Sequence, residues 1–141
     1  MVKKLRPEAR IPEYATEGSA GMDLCACIES PVTLEPHVPV TVPTGISVAA
    51  PRGYAAMVFA RSGLATKHGI GLSNGVGVVD SDYRGEVRVG LINQSDKAYT
   101  IEKGDRIAQL VLIPVARASI IEAKELDDTS RGHGGFGSTG R

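Results

Sequence analysis

Nowhere in this chain does an apolar stretch run far before glycine or proline interrupts it; 17 glycines and 8 prolines are spread over 141 residues. Between them lie short segments with the alternation of half-buried strands. VPVTVPTGISVAAP sets Val40 and Val42, then Ile46 and Val48, two residues apart, with Pro39, Pro43 and Pro51 between or beside them. YAAMVFA, EVRVGLINQ, AYTIEKGDRIAQLVLIPV and ASIIEA continue the series. Short strands with turn signals at this spacing predict an all-β sandwich or barrel, and prolines belong at strand ends and edges of such a fold.

One helix interrupts the pattern. RSGLATKHG predicts about two helical turns, with Ser62 as N-cap and Gly69 as the stop. Arg61 then stands at a helix start, where the dipole disfavours a cation. Two readings are open: an anion binds there, or the arginine is solvated on a loop. IGLSNGVGVVDSDYRG predicts a β-hairpin turning at Asn74-Gly75, then a second turn. Gly71 and Gly77 flank that hairpin and bare its backbone, either for the edge of a planar base or simply as a turn with weakened strands.

The chain ends RGHGGFGSTGR, with Phe136 as its only bulky apolar residue. From Leu126 onward no apolar period remains, which predicts a mobile arm. Gly135 to Gly140 formally spells GxGxxG, but no strand precedes it and the chain stops where a helix should begin, so it is no dinucleotide fingerprint. Its glycine amides, hydroxyls and arginines are still suited to anions.

The length suggests one domain. A formal net charge of zero and a pI near 6.8 argue against a general nucleic-acid binder, while leaving room for a small anion held by a few arginines. No apolar run is long enough to span a bilayer. The basic start MVKKLRPEAR is not followed by an apolar signal core, so the cytoplasm is the expected location. Cys25 and Cys27 do not fit zinc spacing and, on a strand, would face one side as small apolar groups. His37, His68 and His133 are too scattered to form a ligand cluster.

Five segments together resemble the trimeric dUTPase family, in that family's order. AGMDLCA (20–26) is similar to its first motif, ARSGLA (60–65) to the second and SNGVGVVDSDYRG (73–85) to the third. GDRIAQL (104–110) is similar to the fourth and RGHGGFGSTG (131–140) to the fifth. The resemblance implies a jelly-roll-like β-barrel over 1–126 with one short helix, and a flexible arm over 127–141 that closes a neighbouring subunit's site. It also implies a homotrimer in which each site takes its third motif from one subunit, the first, second and fourth from another, and the arm from the third. The implied activity is hydrolysis of dUTP to dUMP and pyrophosphate, which limits uracil in DNA and supplies dUMP for thymidylate.

At the matching positions the resemblance implies the following roles. Asp80 activates the water that attacks the α-phosphorus in line, while Asp82 is a turn former or charge partner. Tyr83 carries the deoxyribose. Asn74 and the backbone of Gly77, Val78 and Val79 read the uracil edge, and Arg88 touches the base through its backbone. Arg61, Ser62, Gly63 and Gln109 hold phosphate. Asp23 faces Mg²⁺ through water or is an ion-pair carboxylate, and Arg106 reaches phosphate or forms a structural ion pair. Arg131, Gly137, Ser138 and Thr139 meet the outer phosphates, with Phe136 over the base. Rival readings are a dCTP deaminase-like enzyme, for which no separate carboxylate is evident, and a catalytically silent nucleotide-binding regulator, which would be expected to lack Asp80 or the arm.

Overall fold

The computed structural model describes residues 1–135, so the sites expected at Phe136, Gly137, Ser138 and Thr139 lie outside the described residues. Strands β1 (Val2–Lys4), β2 (Met22–Cys25), β3 (Val32–Leu34), β4 (Val40–Pro43), β5 (Ile46–Val48) and β6 (Tyr54–Phe59) precede helix α1 (Ser62–His68). Then follow β7 (Ile70–Leu72), β8 (Gly77–Val79), β9 (Arg88–Asn93), β10 (Tyr99–Ile101) and β11 (Arg106–Pro114). They form four sheets, ordered β2-β11-β6-β8, β4-β9-β7, β1-β5 and β10-β3. Every one of these strand pairings is antiparallel.

A single apolar core closes the sheets on one another. Leu24, Leu34, Val42, Ile46, Ile70, Leu91, Ile101 and Leu110 come from all four sheets and belong to one buried cluster. Each such side chain contributes about 1.5–3 kcal/mol on leaving water. The all-β barrel with one short helix is therefore the fold, and the prolines do sit at its margins: Pro43 and Pro114 end β4 and β11.

Three local expectations are corrected. β7 and β8 do not form a hairpin: β7 pairs with β9 and β8 with β6, so the Asn74-Gly75 turn carries the chain from one sheet to another. The turn itself is present, with Gly75 at φ 73° and its N–H donating to the Leu72 carbonyl. ASIIEA forms no strand, because the segment after Pro114 finds no partner strand among the described residues; Ile120 and Ile121 are 90% and 84% exposed. Cys25 and Cys27 do not share a strand face, since β2 ends at Cys25 and Cys27 is buried in the core beyond it.

Strand β11 crosses the middle of the largest sheet with one irregularity. Arg106 stands opposite Cys25 and Ala108 opposite Leu24, so Ile107 is the extra residue of a β-bulge. Residues three apart on a regular strand face opposite sides. Here Ile107 and Ala108 are both buried, and Arg106 and Gln109 both come out on the outer face.

Asn93, fully buried at the end of β9, ties three segments together. Its amide donates to the carbonyls of Leu34 at 2.9 Å and Lys97 at 2.8 Å, and its oxygen accepts from the Ser95 N–H and hydroxyl. Replacement by alanine takes away the side-chain donor to the buried Leu34 carbonyl, at about 1–3 kcal/mol for an unsatisfied group. Asn93→Ala should therefore lower stability by at least that much, read as a reduced urea midpoint with unchanged circular dichroism before unfolding.

Candidate active site

Two separate clusters gather nearly all the described residues singled out from the sequence. The first is a cleft of about 280 Å³ where the β6-β8 edge parts from β9. Asn74, Gly77, Val78, Val79, Asp80, Tyr83 and Arg88 all line it, as do Glu86 and Val58. β8 pairs only with β6, so its other edge is open. Alternate residues of such an edge aim N–H and C=O groups outward, unpaired. Gly77 permits the tight β8–β6 approach: a methyl group there would stand 3.0 Å from the Val58 Cβ.

The loop after β8 is fixed by its own hydrogen bonds. The Tyr83 N–H donates to the Asp80 carbonyl at 3.2 Å, closing a turn that holds Asp80 at the cleft mouth with its side chain exposed. The Tyr83 hydroxyl donates to the Glu86 carbonyl at 3.1 Å, and Arg84 donates to the carbonyls of Ser81 and Tyr83. Ser47 donates to the Arg84 carbonyl, and the Gly45 N–H to the Glu86 carboxylate, anchoring the loop to the barrel. Asp82 lies in the turn itself and forms no ion pair among the described residues.

The second cluster lies at the opposite side of the large sheet. Asp23 on β2 is bridged by two guanidiniums: Arg61 Nε at 2.9 Å from one carboxylate oxygen and Arg106 Nη1 at 3.1 Å from the other. Arg61 Nη1 also donates to the Arg106 carbonyl at 3.3 Å. These bonds engage Nε and Nη1 of Arg61 and a guanidinium carries five N–H groups, so the fork can hold Asp23 and still offer donors to an anion. Gln109, directly opposite Asp23, donates to the Ala60 carbonyl at 2.9 Å. Gly21 makes room for it; a methyl there would fall 2.6 Å from Gln109 Oε1.

Helix α1 adds amide donors to this cluster. Its N-cap is Arg61, in extended geometry and without a side-chain cap, so Ser62 is the first helical residue rather than the cap. The expectation shifts by one because the first helical hydrogen bond runs from Ala65 N–H to the Arg61 carbonyl. The amides of Ser62 and Gly63 are thus among the unsatisfied first-turn donors. Gly69, at φ 69°, ends the helix as expected, and Lys67 and His68 sit where the dipole favours cations.

Arg131 is exposed and donates within its own turn to the Gly134 carbonyl at 3.0 Å. No group of three or more His, Cys, Asp or Glu able to hold a metal occurs among the described residues. Asp23 has two oxygens already accepting guanidinium bonds, and a carboxylate offers about four acceptor positions. It therefore fits a hydrated Mg²⁺ carried on phosphates, as an outer partner through water, and does not fit a metal cage.

The sheet lattice sets the distance between clusters. β2 and β8 are separated by β11 and β6, and Asp80 follows Val79, whose partner Ala56 pairs with Leu112, three residues along β11 from Gln109. Strand spacing and rise then put Asp80 roughly 20 Å from Asp23 of the same chain. That exceeds the reach of one triphosphate. Sequence reasoning missed Gly85 and Glu86 behind Tyr83, and the bulge; only the adjacent apolar pair Ile107-Ala108 hinted at the latter.

A small antiparallel barrel with an edge-strand cleft and a remote guanidinium–helix cluster defines an all-β protein equipped for a nucleotide and its phosphates. The sequence model of the dUTPase family matches residues 7–140. A deoxyuridine 5'-triphosphate nucleotidohydrolase from Hydrogenobaculum sp. is 52% identical over 140 residues, 99% of this chain and 96% of that one. Another from Desulfotalea psychrophila is 55% identical over 130 residues, 92% of this chain and 87% of that one. The Staphylococcus bacteriophage 80alpha dUTPase with dUpNHpp superposes at a TM-score of 0.89 and 29% identity, covering all of this chain and 98% of the other. The chain belongs to the dUTPase family.

Beside the cationic cluster, burial pushes the Cys25 thiol above its ordinary value, with Asp23 adding to the rise and Arg10 and Arg106 opposing it. A raised value leaves less thiolate at any given pH. Alkylation of Cys25 by iodoacetamide should therefore keep accelerating with pH beyond the range where a free cysteine levels off, measured by mass spectrometry of the Cys25 peptide.

Proposed function

We propose that this chain hydrolyses dUTP to dUMP and pyrophosphate in sites shared between the subunits of a homotrimer. The observation that carries the reading is the edge-strand cleft that ends on Asp80, in a chain matched end to end by the dUTPase family. Uracil lies against the free edge of β8, its donor and acceptor groups met by the backbone of Gly77, Val78 and Val79 and by Asn74. The base of UTP is the same, so the sugar must be judged elsewhere. Tyr83 does this by covering the face of the sugar where a 2′-hydroxyl would stand, and Arg88 closes the cleft floor through its backbone.

At the α-phosphorus, a water bonded to Asp80 attacks in line. Its proton passes to the Asp80 carboxylate, the bond to the bridging oxygen breaks, and pyrophosphate leaves. Spreading charge on the phosphate oxygens is met by donors fixed beforehand: Arg61, the Ser62 and Gly63 amides, and Gln109, from a second subunit. Mg²⁺ bound with the substrate would neutralise phosphate charge, with Asp23 holding its water shell. Arg131, Gly137, Ser138 and Thr139 from the third subunit's arm would cap the outer phosphates, and Phe136 would cover the base. Keeping dUTP low limits uracil in DNA.

Distance and the exposed tail support the shared-site reading. By strand spacing, Asp80 and Asp23 of one chain stand roughly 20 Å apart, and Ile120, Ile121 and Leu126 are exposed apolar residues. No helix is long and apolar enough to cross a membrane among the described residues.

Asp80→Asn should lower kcat by about 10²–10⁴-fold, the usual share of a general base, while a non-hydrolysable dUTP analogue still binds. Arg61→Ala should be nearly inactive as well. Refolded together in equal amounts, the two inactive variants should recover activity, because in a randomly mixed closed ring of three about a quarter of the sites receive both intact residues. Pyrophosphate release is the readout, and a mixture as inactive as its parts would refute the shared site.

Truncation after Asp128 should leave a folded trimer whose kcat/KM for dUTP falls at least as far as loss of one base–aromatic stack of about 1–3 kcal/mol requires. Size-exclusion chromatography with light scattering and steady-state kinetics check the two halves of that statement.

A further inference from the structure

Tyr83 does not project freely into the cleft. It is exposed on its open side (45%), while its hydroxyl bonds the Glu86 carbonyl three residues on, folding the ring back over its own loop. What lies beneath the ring is Gly85. A methyl group at position 85 would stand 2.5 Å from Tyr83 Cζ and 3.0 Å from Cε2, and would collide with the hydroxyl oxygen. Real side-chain carbons do not approach so closely, so the ring can occupy its place only while residue 85 has no side chain. Gly85 has no positive φ, which removes backbone strain as the reason for glycine here.

From this contact we infer that Gly85 is a positioning residue for sugar selection: it sets how deep the Tyr83 ring lies, and thereby whether the cleft distinguishes deoxyribose from ribose. The inference rests on the proposed role of Tyr83 as the surface under the sugar. Two neighbours fix the depth of the ring. Gly85 sets the limit from behind, and the Glu86 carbonyl holds the hydroxyl. The loop is held in turn by Ser47 and Gly45, through the Arg84 carbonyl and the Glu86 carboxylate. A methyl at 85 moves the ring forward into the cleft and strips the hydroxyl of its acceptor. The surface under C2′ is then displaced, and discrimination falls for both nucleotides' placement rather than for overall folding.

The test is a mutant cycle read on the ratio of kcat/KM for dUTP to that for UTP. Gly85→Ala should lower this ratio roughly tenfold, within the range that exclusion of one hydroxyl commands. In a Tyr83→Ala background the same Gly85→Ala change should alter the ratio less than about twofold, since residues acting through one contact are not additive. A Gly85 that matters only for general stability would lower kcat/KM for dUTP and UTP alike and leave their ratio unchanged in either background, and that result overturns the inference. Fluorotyrosine incorporation gives a readout without substrate: the ¹⁹F resonance lost in Tyr83→Phe should shift in Gly85→Ala, and an unmoved resonance also overturns it.

Tyr83→Phe keeps the ring and removes only the anchor. It should lower the ratio roughly threefold, the weight of one net hydrogen bond, and it remains informative should Gly85→Ala fold poorly; an undiminished ratio counts against the anchor. If Tyr83→Ala itself leaves the ratio unchanged, the sugar-platform reading fails. If Tyr83→Ala lowers it and Gly85→Ala does not, only the role of Gly85 fails.

Discussion

The single extra residue in β11 decides what the outer face of the large sheet can do. Pairing with β2 on one side and β6 on the other fixes β11 from both edges, so its side chains cannot drift. A regular strand would send Arg106 and Gln109 to opposite faces. With Ile107 bulged into the core, both emerge beside Asp23, and the carboxylate is met by Arg106 along the sheet and by Arg61 from the helix start. The apolar side of the bulge is held by burial of Ile107 and Ala108. Core packing and the placement of the cationic cluster are thus one constraint, seen from the two faces of a strand.

Asp23 gives that cluster its order at a modest electrostatic cost. Two guanidiniums packed side by side would repel each other; a carboxylate between them cancels one charge and leaves one positive charge over. Because these partners are in place before any anion arrives, little reorganisation is needed when phosphate charge develops. The whole chain carries no formal net charge, so attraction of a polyanion is a local property. In the proposed site it would depend on where Arg61, Arg106 and the first amides of α1 stand, and a global excess of lysine or arginine would not supply it.

Much of this was legible in the sequence because it is written in local chemistry. Alternating apolar residues between prolines gave the strands, and Gly69 gave the helix end by its left-handed backbone. Ordered motifs located Asp80, Tyr83, Arg61 and Asp23. What was not legible depends on which strand meets which. Asn74-Gly75 has the composition of a hairpin turn, yet its flanking strands pair with β9 and β6; a turn dipeptide fixes local backbone geometry and says nothing of partners across sheets. ASIIEA has strand chemistry and no strand, since a strand needs a neighbour that the described residues lack. Gly85 read as one more loop glycine because a ring two residues away, folded back upon it, leaves no trace in spacing.

The cleft itself argues for assembly on electrostatic grounds as well as by distance. Asp80 and Glu86 line it, Asp82 adjoins it, and Arg84, the nearest guanidinium in sequence, is committed to the carbonyls of Ser81 and Tyr83. Of the cleft's own cations only Arg88 remains, on the strand that follows. A carboxylate beside a phosphate repels it, because like charges at close range raise each other's energy. An isolated protomer could therefore hold the base and sugar while repelling the triphosphate. In the proposed shared site, another chain's Arg61 and helix amides would stand beside Asp80, offset that repulsion and supply the donors. Catalysis at that site would begin only when the oligomer is complete.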